Sequence, residues 1–455
     1  MNNKTQCTIL KYVESESWQI MNAQNNHPDS GFSKSICHKI SDPENRILLL
    51  FTIEGMLITL VNNLVGNNNN LFGTRLGASD LQLSLLTTIP QLVGLMVLIP
   101  GGILTDRMKN KRNMVRAALF MLAMFYASIG FVPMLSTNQF TAFLILLAAS
   151  AGPMTVYNVS WQAYFSDVVN TEKQNHIMTY RTALTFVIGI IIPLVSGLLL
   201  ASANTNDGKI HLHQTFFWIG AALLLIQILV LNQIKDSPTT SAIRLQTGQL
   251  KGVVTELLHN KKFLSYVGVA IFFYATWHID WTLYFIGQVN YLKLNEAWLS
   301  YVNIGNAIVQ FITIGFWSRL NDKYGVRFGI IFGNLGLALC PICMIIATGL
   351  PVPQGQLTFL LMNTLSNIPL AAINLNILQC LLQVVPENNK TLYISIYTVL
   401  VTLSNAFMPL IGVIVYTKLG ANLNGLQITF GIIFVLRIIS SCLWFLRWWK
   451  LRNQK

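Results

Sequence analysis

A few ionisable side chains interrupt long apolar runs of this sequence. Glu54 lies in LLLFTIEGMLITL, and His278 and Asp280 lie in YATWHIDWTLYF. A carboxyl group in a low-dielectric medium favours its neutral form and exchanges a proton as its hydration changes. Ionisable residues deep in apolar segments point to such chemistry by default. Glu54 is therefore the first candidate for proton exchange, with Asp280 second and His278 as its partner. The competing readings are a protonated or hydrogen-bonded structural Glu54, and an Asp280 that reaches interfacial water. Arg437 is harder to place and reads as snorkelling or pairing with a neighbouring helix, with a substrate contact as the alternative.

A second group is polar but uncharged. Tyr157, Asn158, Trp161 and Gln162 share one segment; Asn363, Asn367, Asn374, Asn376 and Gln379 share another; Asn303, Asn306 and Gln310 share a third. Asn363, Asn367 and Asn374 fall near one face of a helix, as a stripe lining water would. Amides without net charge, beside Trp161 and Trp277, suit a neutral or zwitterionic polar organic molecule. Hydrogen bonding between helices is the alternative use of each amide.

A third group is charged. GGILTDRMKNKR at 101–112 packs five charges into twelve residues of a chain that is only 10% charged, and SRLNDKYGVR follows at 318–327. Gly101 and Gly102 would let one helix approach another closely. Asp106 can pair with guanidinium groups or with the positive end of a helix. The basic residues also serve to fix topology.

The elements that must hold these groups follow from composition. Of 455 residues, 53% are hydrophobic types, whereas soluble domains carry about a quarter charged residues. A helix needs about 20 apolar residues to cross the ~30 Å hydrocarbon core. Twelve such runs stand at 46–66, 81–104, 113–135, 139–166, 177–201, 214–234, 263–288, 297–320, 327–348, 356–384, 391–417 and 425–448. They are continuous, not the alternating ten-residue strands of a membrane barrel. With the amino terminus inside, the outer loops hold only Arg75, Lys209, Lys293 and Lys418, which satisfies the positive-inside rule. The net charge of +13 then faces anionic lipid, and a nucleic-acid partner finds no support. Residues 1–45 show no secretory signal and read as a polar cytoplasmic tail. Cys340 and Cys343 form a C-x-x-C within an apolar run, where packing is favoured over redox or metal chemistry. No metal and no cofactor is expected.

The chain also repeats itself. The distance from Asp106 to Asp322 is 216 residues, and the same shift places Leu83-Ser84 on Leu299-Ser300, Asp80 on Glu296, Pro153 on Pro369, Asn158 on Asn374, Val168-Val169 on Val384-Val385 and Pro193 on Pro409. Two parallel six-helix halves meeting around a midplane site form a transporter architecture. The expected organisation is a tail (1–45), a first bundle (46–234), a cytoplasmic linker (235–262), a second bundle (263–448) and a short tail (449–455).

Twelve helices in two repeats, with GGILTDRMKNKR after the second helix and a counterpart after the eighth, resemble the major facilitator superfamily. Gly102, Leu104, Asp106, Arg107, Lys111 and Arg112 fit that family's loop signature, with Lys109 where a second glycine is expected. In the second copy Asp322, Lys323, Gly325 and Arg327 fit, with Ser318 replacing the first glycine. The resemblance covers about 46–450. It implies an all-α integral membrane protein, twelve transmembrane helices in two pseudo-symmetric six-helix bundles. It also implies that Gly102, Asp106, Arg107, Asp322, Lys323 and Arg327 form gating loops that lock one access state. Tyr157, Asn158, Trp161, Gln162, Trp277, Asn303, Asn306, Asn367 and Asn374 are the expected cavity residues.

Within this resemblance, the lack of a basic residue deep in the first, fourth or seventh segment weakens phosphate or nitrate carriage, and E-x-x-E-R is missing from the first. GIIIPLVSG at 189–197 keeps only Gly189, Pro193 and Gly197 of a drug-antiporter motif, so both export and import are compatible. A secondary active carrier is the leading expectation, coupled to a proton or another ion and working as a monomer in the plasma membrane with both termini cytoplasmic. A transport-silent receptor or scaffold on the same fold is the alternative. An intramembrane enzyme is disfavoured, because Walker, H-E-x-x-H and G-x-S-x-G motifs are missing.

Overall fold

The computed structural model describes residues 43–108, 110–169, 171–234, 259–385 and 390–452. Residues 1–42 of the expected tail and 235–258 of the expected linker lie outside it. The described residues divide after Phe51 into two units, Pro43–Phe51 and Thr52–Arg452. The opening turns of the first helix belong to the former, and the other helices form two bundles in the latter.

In the first bundle, α1 (Pro43–Leu64) continues through a 3-10 turn at Gly66–Asn68 into the short α2 (Asn69–Arg75). Then follow α3 (Asp80–Arg107), α4 (Lys111–Gly130), α5 (Gln139–Val168), α6 (Thr171–Ser202) and α7 (Asn206–Asn232). The second bundle holds α8 (Lys261–His278), α9 (Trp281–Ile286) with a π turn at Gly287–Tyr291, and α10 (Glu296–Tyr324). It continues with α11 (Val326–Ala338), α12 (Cys340–Thr348), α13 (Val352–Leu382), α14 (Lys390–Lys418) and α15 (Leu423–Arg452). Among the described residues eleven helical stretches are long and apolar enough to span a bilayer. The twelfth, expected as an unbroken run at 263–288, is divided into α8, α9 and the π turn.

That division corrects the sequence expectation, and so does the split of 327–348 into α11 and α12. Pro341 lacks the N–H that would bond the Leu337 carbonyl four residues earlier, so the helix breaks at Leu339. At the other break, Arg437 donates to the carbonyls of Thr276 and Trp277, the acceptors that the amides of Asp280 and Trp281 would use in a continuous helix. The same guanidinium donates to the Leu337 carbonyl at 3.0 Å. One side chain of α15 thus satisfies backbone groups at two helix breaks, as an apolar surrounding requires.

Helix starts follow the repeat. Ser79 caps α3 in a capping box with Gln82, and Asn295, its counterpart 216 residues on, caps α10 by accepting from the Trp298 amide at 3.0 Å. Each such cap contributes about 1 kcal/mol. Each is followed by an acid in the first turn, Asp80 or Glu296, where the helix dipole favours negative charge.

The bundles meet where α3 packs on α14 and α6 on α10. The repeat shift carries α3 onto α10 and α6 onto α14, so the two contacts are equivalent by pseudo-symmetry. Thr88 Oγ1 donates to the Ala406 carbonyl and Ser300 Oγ to the Pro193 carbonyl, both at 2.7 Å. Inside the first bundle Phe72, Phe143 and Phe217 pack ring on ring, with centroids 4.9 Å and 5.5 Å from Phe72. In the second, Phe263, Tyr266 and Tyr393 are fully buried. On the outward faces Phe120, Leu229 and Val435 stay exposed, as a lipid-facing surface allows.

Candidate functional site

Glu54, on α1, is fully buried, and three other helices of the first bundle converge on its carboxylate. Oε1 accepts from the Tyr157 hydroxyl of α5 and from Gln227 Nε2 of α7 at 2.7 Å. Oε2 faces Arg181 Nη2 of α6 at 3.3 Å. Gln227 Nε2 also lies 3.2 Å from the Tyr157 oxygen, and the Arg181 guanidinium stacks 4.2 Å from the Trp161 ring centroid. The backbone leaves room for this arrangement at Gly55, where a Cβ would fall 2.6 Å from Arg181 Cγ. Charge-assisted bonds of this kind offset the desolvation of an ionised carboxylate.

The sequence reading named Glu54, Tyr157 and Trp161, and the fold brings these together. Arg181 and Gln227 were missed. Arg181 stands only four residues inside its apolar run, where it reads as a topology-setting edge charge. Gln227 left a signal: it is a lone amide in AALLLIQILVLN. Asn158 and Gln162, neighbours of Tyr157 and Trp161 in sequence, point elsewhere and are exposed.

In the second bundle Asp280 is 1% exposed, and its Oδ2 lies 2.7 Å from Arg437 Nη2. The partner expected for Asp280 was His278. That expectation is corrected: the carboxylate turns toward α15 at the break between α8 and α9, while His278 Nδ1 lies 3.2 Å from Ser404 Oγ of α14. Trp277 lines a cavity of about 130 Å³ together with Asp280, Trp281, Tyr284, Asn367 and Arg437.

The amides of α10 and α13 engage one another. Asn363 Nδ2 donates to Asn306 at 3.1 Å, Gln310 Nε2 to Asn367 at 2.8 Å, Asn374 Nδ2 to Gln310 at 3.2 Å, and Asn321 Nδ2 to Asn376 at 2.6 Å. They form a ladder that ties two helices together, the interhelical use that competed with a water-lining stripe. Asn303 lies apart from it and lines a cavity of about 180 Å³ with Asn68, Pro193, Ser196, Glu296 and Ser300.

That second cavity adjoins an ion cluster between the bundles. Glu296, 3% exposed, takes Arg75 Nη2 at 2.5 Å and Lys209 Nζ at 2.8 and 2.9 Å. One carboxylate of the second bundle thus holds two cations of the first. From sequence, Arg75 and Lys209 read as topology-setting charges alone.

At the opposite end, the side chains of Asp106 and Arg107 fall outside the described residues. Gly101 faces α5 closely, since a Cβ there would meet Val156 Cγ2 at 3.0 Å; at Gly102 the nearest atom, on Val159, is an ordinary 3.9 Å away. Lys111 pairs with Asp167 at 2.8 Å, and Arg112 donates to the Ile234 carbonyl at 2.7 Å. In the second copy Asp322 is exposed, Lys323 sits 5.1 Å from the Tyr324 ring centroid, and Arg327 lines a small pocket with Cys380 and Trp444.

Comparisons with known proteins agree with this architecture. Among solved structures, the chain is similar to a bacterial homologue of the human lysosomal transporter Spinster, at TM-score 0.62 and 13% identity over 90% of this chain and 97% of that one. It is similar to the xylose transporter XylE from E. coli, at TM-score 0.62 and 14% identity over 87% and 95%. It is also similar to the nucleoside transporter NupG, at TM-score 0.64 and 14% identity over 88% and 99%. Identities this low carry the fold alone. No curated protein matches the chain in sequence. The family profile of the Major Facilitator Superfamily, however, matches residues 47–313 and 289–454, which together span nearly all the helices described above. The chain is a multi-pass membrane protein that belongs to the Major Facilitator Superfamily.

Proposed function

We propose that this protein is a secondary active transporter, moving a small polar organic solute, neutral or zwitterionic, by alternating access and coupled to protons through Glu54. The observation that carries the reading is the Glu54 site: a fully buried carboxylate joined to Tyr157, Gln227 and Arg181 from three further helices. A group so held changes its partners when it changes its charge, and Arg181 transmits that change to α6, which packs against the other bundle. Glu296 with Arg75 and Lys209 serves as a latch that closes one end, taken as the outer one from the distribution of basic residues. Asp106 and Arg107 are proposed to act at the inner end, in a monomer of the plasma membrane with both termini cytoplasmic.

The test does not need the substrate in advance. Proteoliposomes containing a pH-sensitive dye are exposed to pools of neutral, zwitterionic, cationic and anionic metabolites, and internal pH and solute uptake are followed together. The parent is expected to move protons with one pool. Glu54→Gln is expected to abolish uphill accumulation driven by a pH gradient while substrate exchange continues, because Gln keeps the shape and accepts hydrogen bonds but carries no proton. Unchanged accumulation by Glu54→Gln would remove proton coupling from this residue. Failure of the parent to move any solute would favour a receptor or scaffold role.

A further inference from the structure

The cavity beside Asp280 carries an unmet chemical demand. Asp280 is a carboxylate with one oxygen on Arg437, while its Oδ1 has no hydrogen-bond partner among the described residues. The Tyr284 hydroxyl, buried in the same cavity, has none either. Arg437 does not supply the missing donor, because its Nε, Nη1 and Nη2 are directed to the carbonyls of Thr276, Leu337 and Trp277 and to the other carboxylate oxygen. Asn367 does not supply it either: the described bond of its amide nitrogen runs to the Asn363 carbonyl. An ionised carboxylate is only an acceptor, so whatever fills this place must bring N–H or O–H groups. A buried acceptor without a partner costs roughly 1–3 kcal/mol and calls for an occupant.

The walls narrow the occupant further. Trp277 and Trp281 stand with centroids 5.9 Å apart at 87°, and Tyr284 completes an aromatic enclosure. Indole and phenol faces are negative and attract cations. An anion would meet the Asp280 carboxylate at closest approach. The volume, about 130 Å³, is close to that of a cavity that takes benzene, so it admits an amine with a few carbons.

We infer that the cavity formed by Asp280, Tyr284, Trp277 and Trp281 is a subsite for a protonated amine, with the ammonium donating to Asp280 Oδ1 and the Tyr284 hydroxyl and resting against the indole faces. The inference builds on the transporter reading and narrows its substrate from neutral or zwitterionic solutes to the zwitterionic ones, which carry such an amine. It also gives the helix break a use, because an occupant between α8 and α9 on one side and α13 on the other touches both ends of a discontinuous helix.

The experiment is direct binding to the purified full-length protein in lipid nanodiscs. Tryptophan fluorescence is titrated with propylammonium, with propanol and propionate as its neutral and anionic counterparts. Propylammonium is expected to give a saturable change that the other two do not. Asp280→Asn, which keeps an acceptor for Arg437, is expected to weaken it roughly tenfold or more, the scale of a charge-assisted bond. Tyr284→Phe, which removes one oxygen and disturbs no described hydrogen bond, is expected to weaken it by a smaller factor. Equal responses to propanol and propylammonium would overturn the subsite. So would unchanged affinity in Tyr284→Phe, which keeps the test open if Asp280→Asn fails to fold. Selective amine binding without flux of any solute would leave the subsite standing and overturn transport. Flux with no amine preference in binding would do the reverse.

Discussion

At Gly55 the proposed Glu54 site can be perturbed without touching an ionisable group. The Arg181 side chain lies over Gly55, so a single methyl there collides with its stem. Overpacking of this kind costs about 1–3 kcal/mol. Gly55→Ala is therefore expected to lower proton-driven accumulation roughly tenfold or more, with normal membrane expression and with Glu54 still present. Accumulation equal to the parent's would mean that Arg181 needs no fixed position beside the carboxylate. At this scale the sequence was legible where residue type alone is informative. A glutamate amid leucines announces itself, and so does the tyrosine and tryptophan of α5. Arg181 does not, because an arginine near the end of an apolar run serves topology equally well. Only its distance to Glu54 separates the two readings.

At the scale of elements, the α10–α13 ladder is a stiffener. Gln310 stands at its centre, donating to Asn367 and accepting from Asn374. Interhelical hydrogen bonds in bilayers average about 0.6 kcal/mol each. Gln310→Leu removes two and is expected to lower unfolding stability in lipid by about 1 kcal/mol, read from a denaturation midpoint. A loss of several kcal/mol, or none, would contradict so modest a seam. The helices themselves were legible because a bilayer forces each to be one contiguous apolar run. The breaks in α8–α9 and α11–α12 were less so. Pro341 was visible in the sequence, but whether the carbonyl it leaves free finds a donor depends on Arg437, almost a hundred residues away along the chain. The amides were legible as types, and their mutual pairing was not, since spacing along one helix says nothing of what the facing helix presents.

For the whole molecule, the Glu296 cluster breaks the symmetry of the repeat. Asp80 occupies the matching position in the first half, yet among the described residues its side chain accepts a hydrogen bond from Asn290 at 3.4 Å and forms no ion pair. A latch of the kind proposed above, present at only one of the two repeat-related positions, biases the closed end without requiring a twin. Glu296→Gln keeps the size and weakens both ion pairs. A shift of about 1–2 kcal/mol would change the population of the open end by a factor of roughly 5 to 30. Thiol labelling of Asn303→Cys in the neighbouring cavity, applied from the latch end, is expected to accelerate accordingly. An unchanged labelling rate would show that the cluster does not restrain access.

The division of the seventh span also bears on how the protein is made. Neither α8 nor α9, taken singly, is among the described helices long and apolar enough to cross a bilayer, and the guanidinium that completes their backbone bonding belongs to the final helix. The ribosome delivers α8 long before α15, so this segment must wait, sheltered by the insertion machinery or by neighbouring helices, until the chain is nearly finished. Chains truncated after residue 420 should therefore leave α8 accessible: a cysteine replacing Trp277 should react with a water-soluble maleimide in the truncated form and resist it once α15 is present. Equal protection in both would mean that the seventh span settles before the last helix arrives.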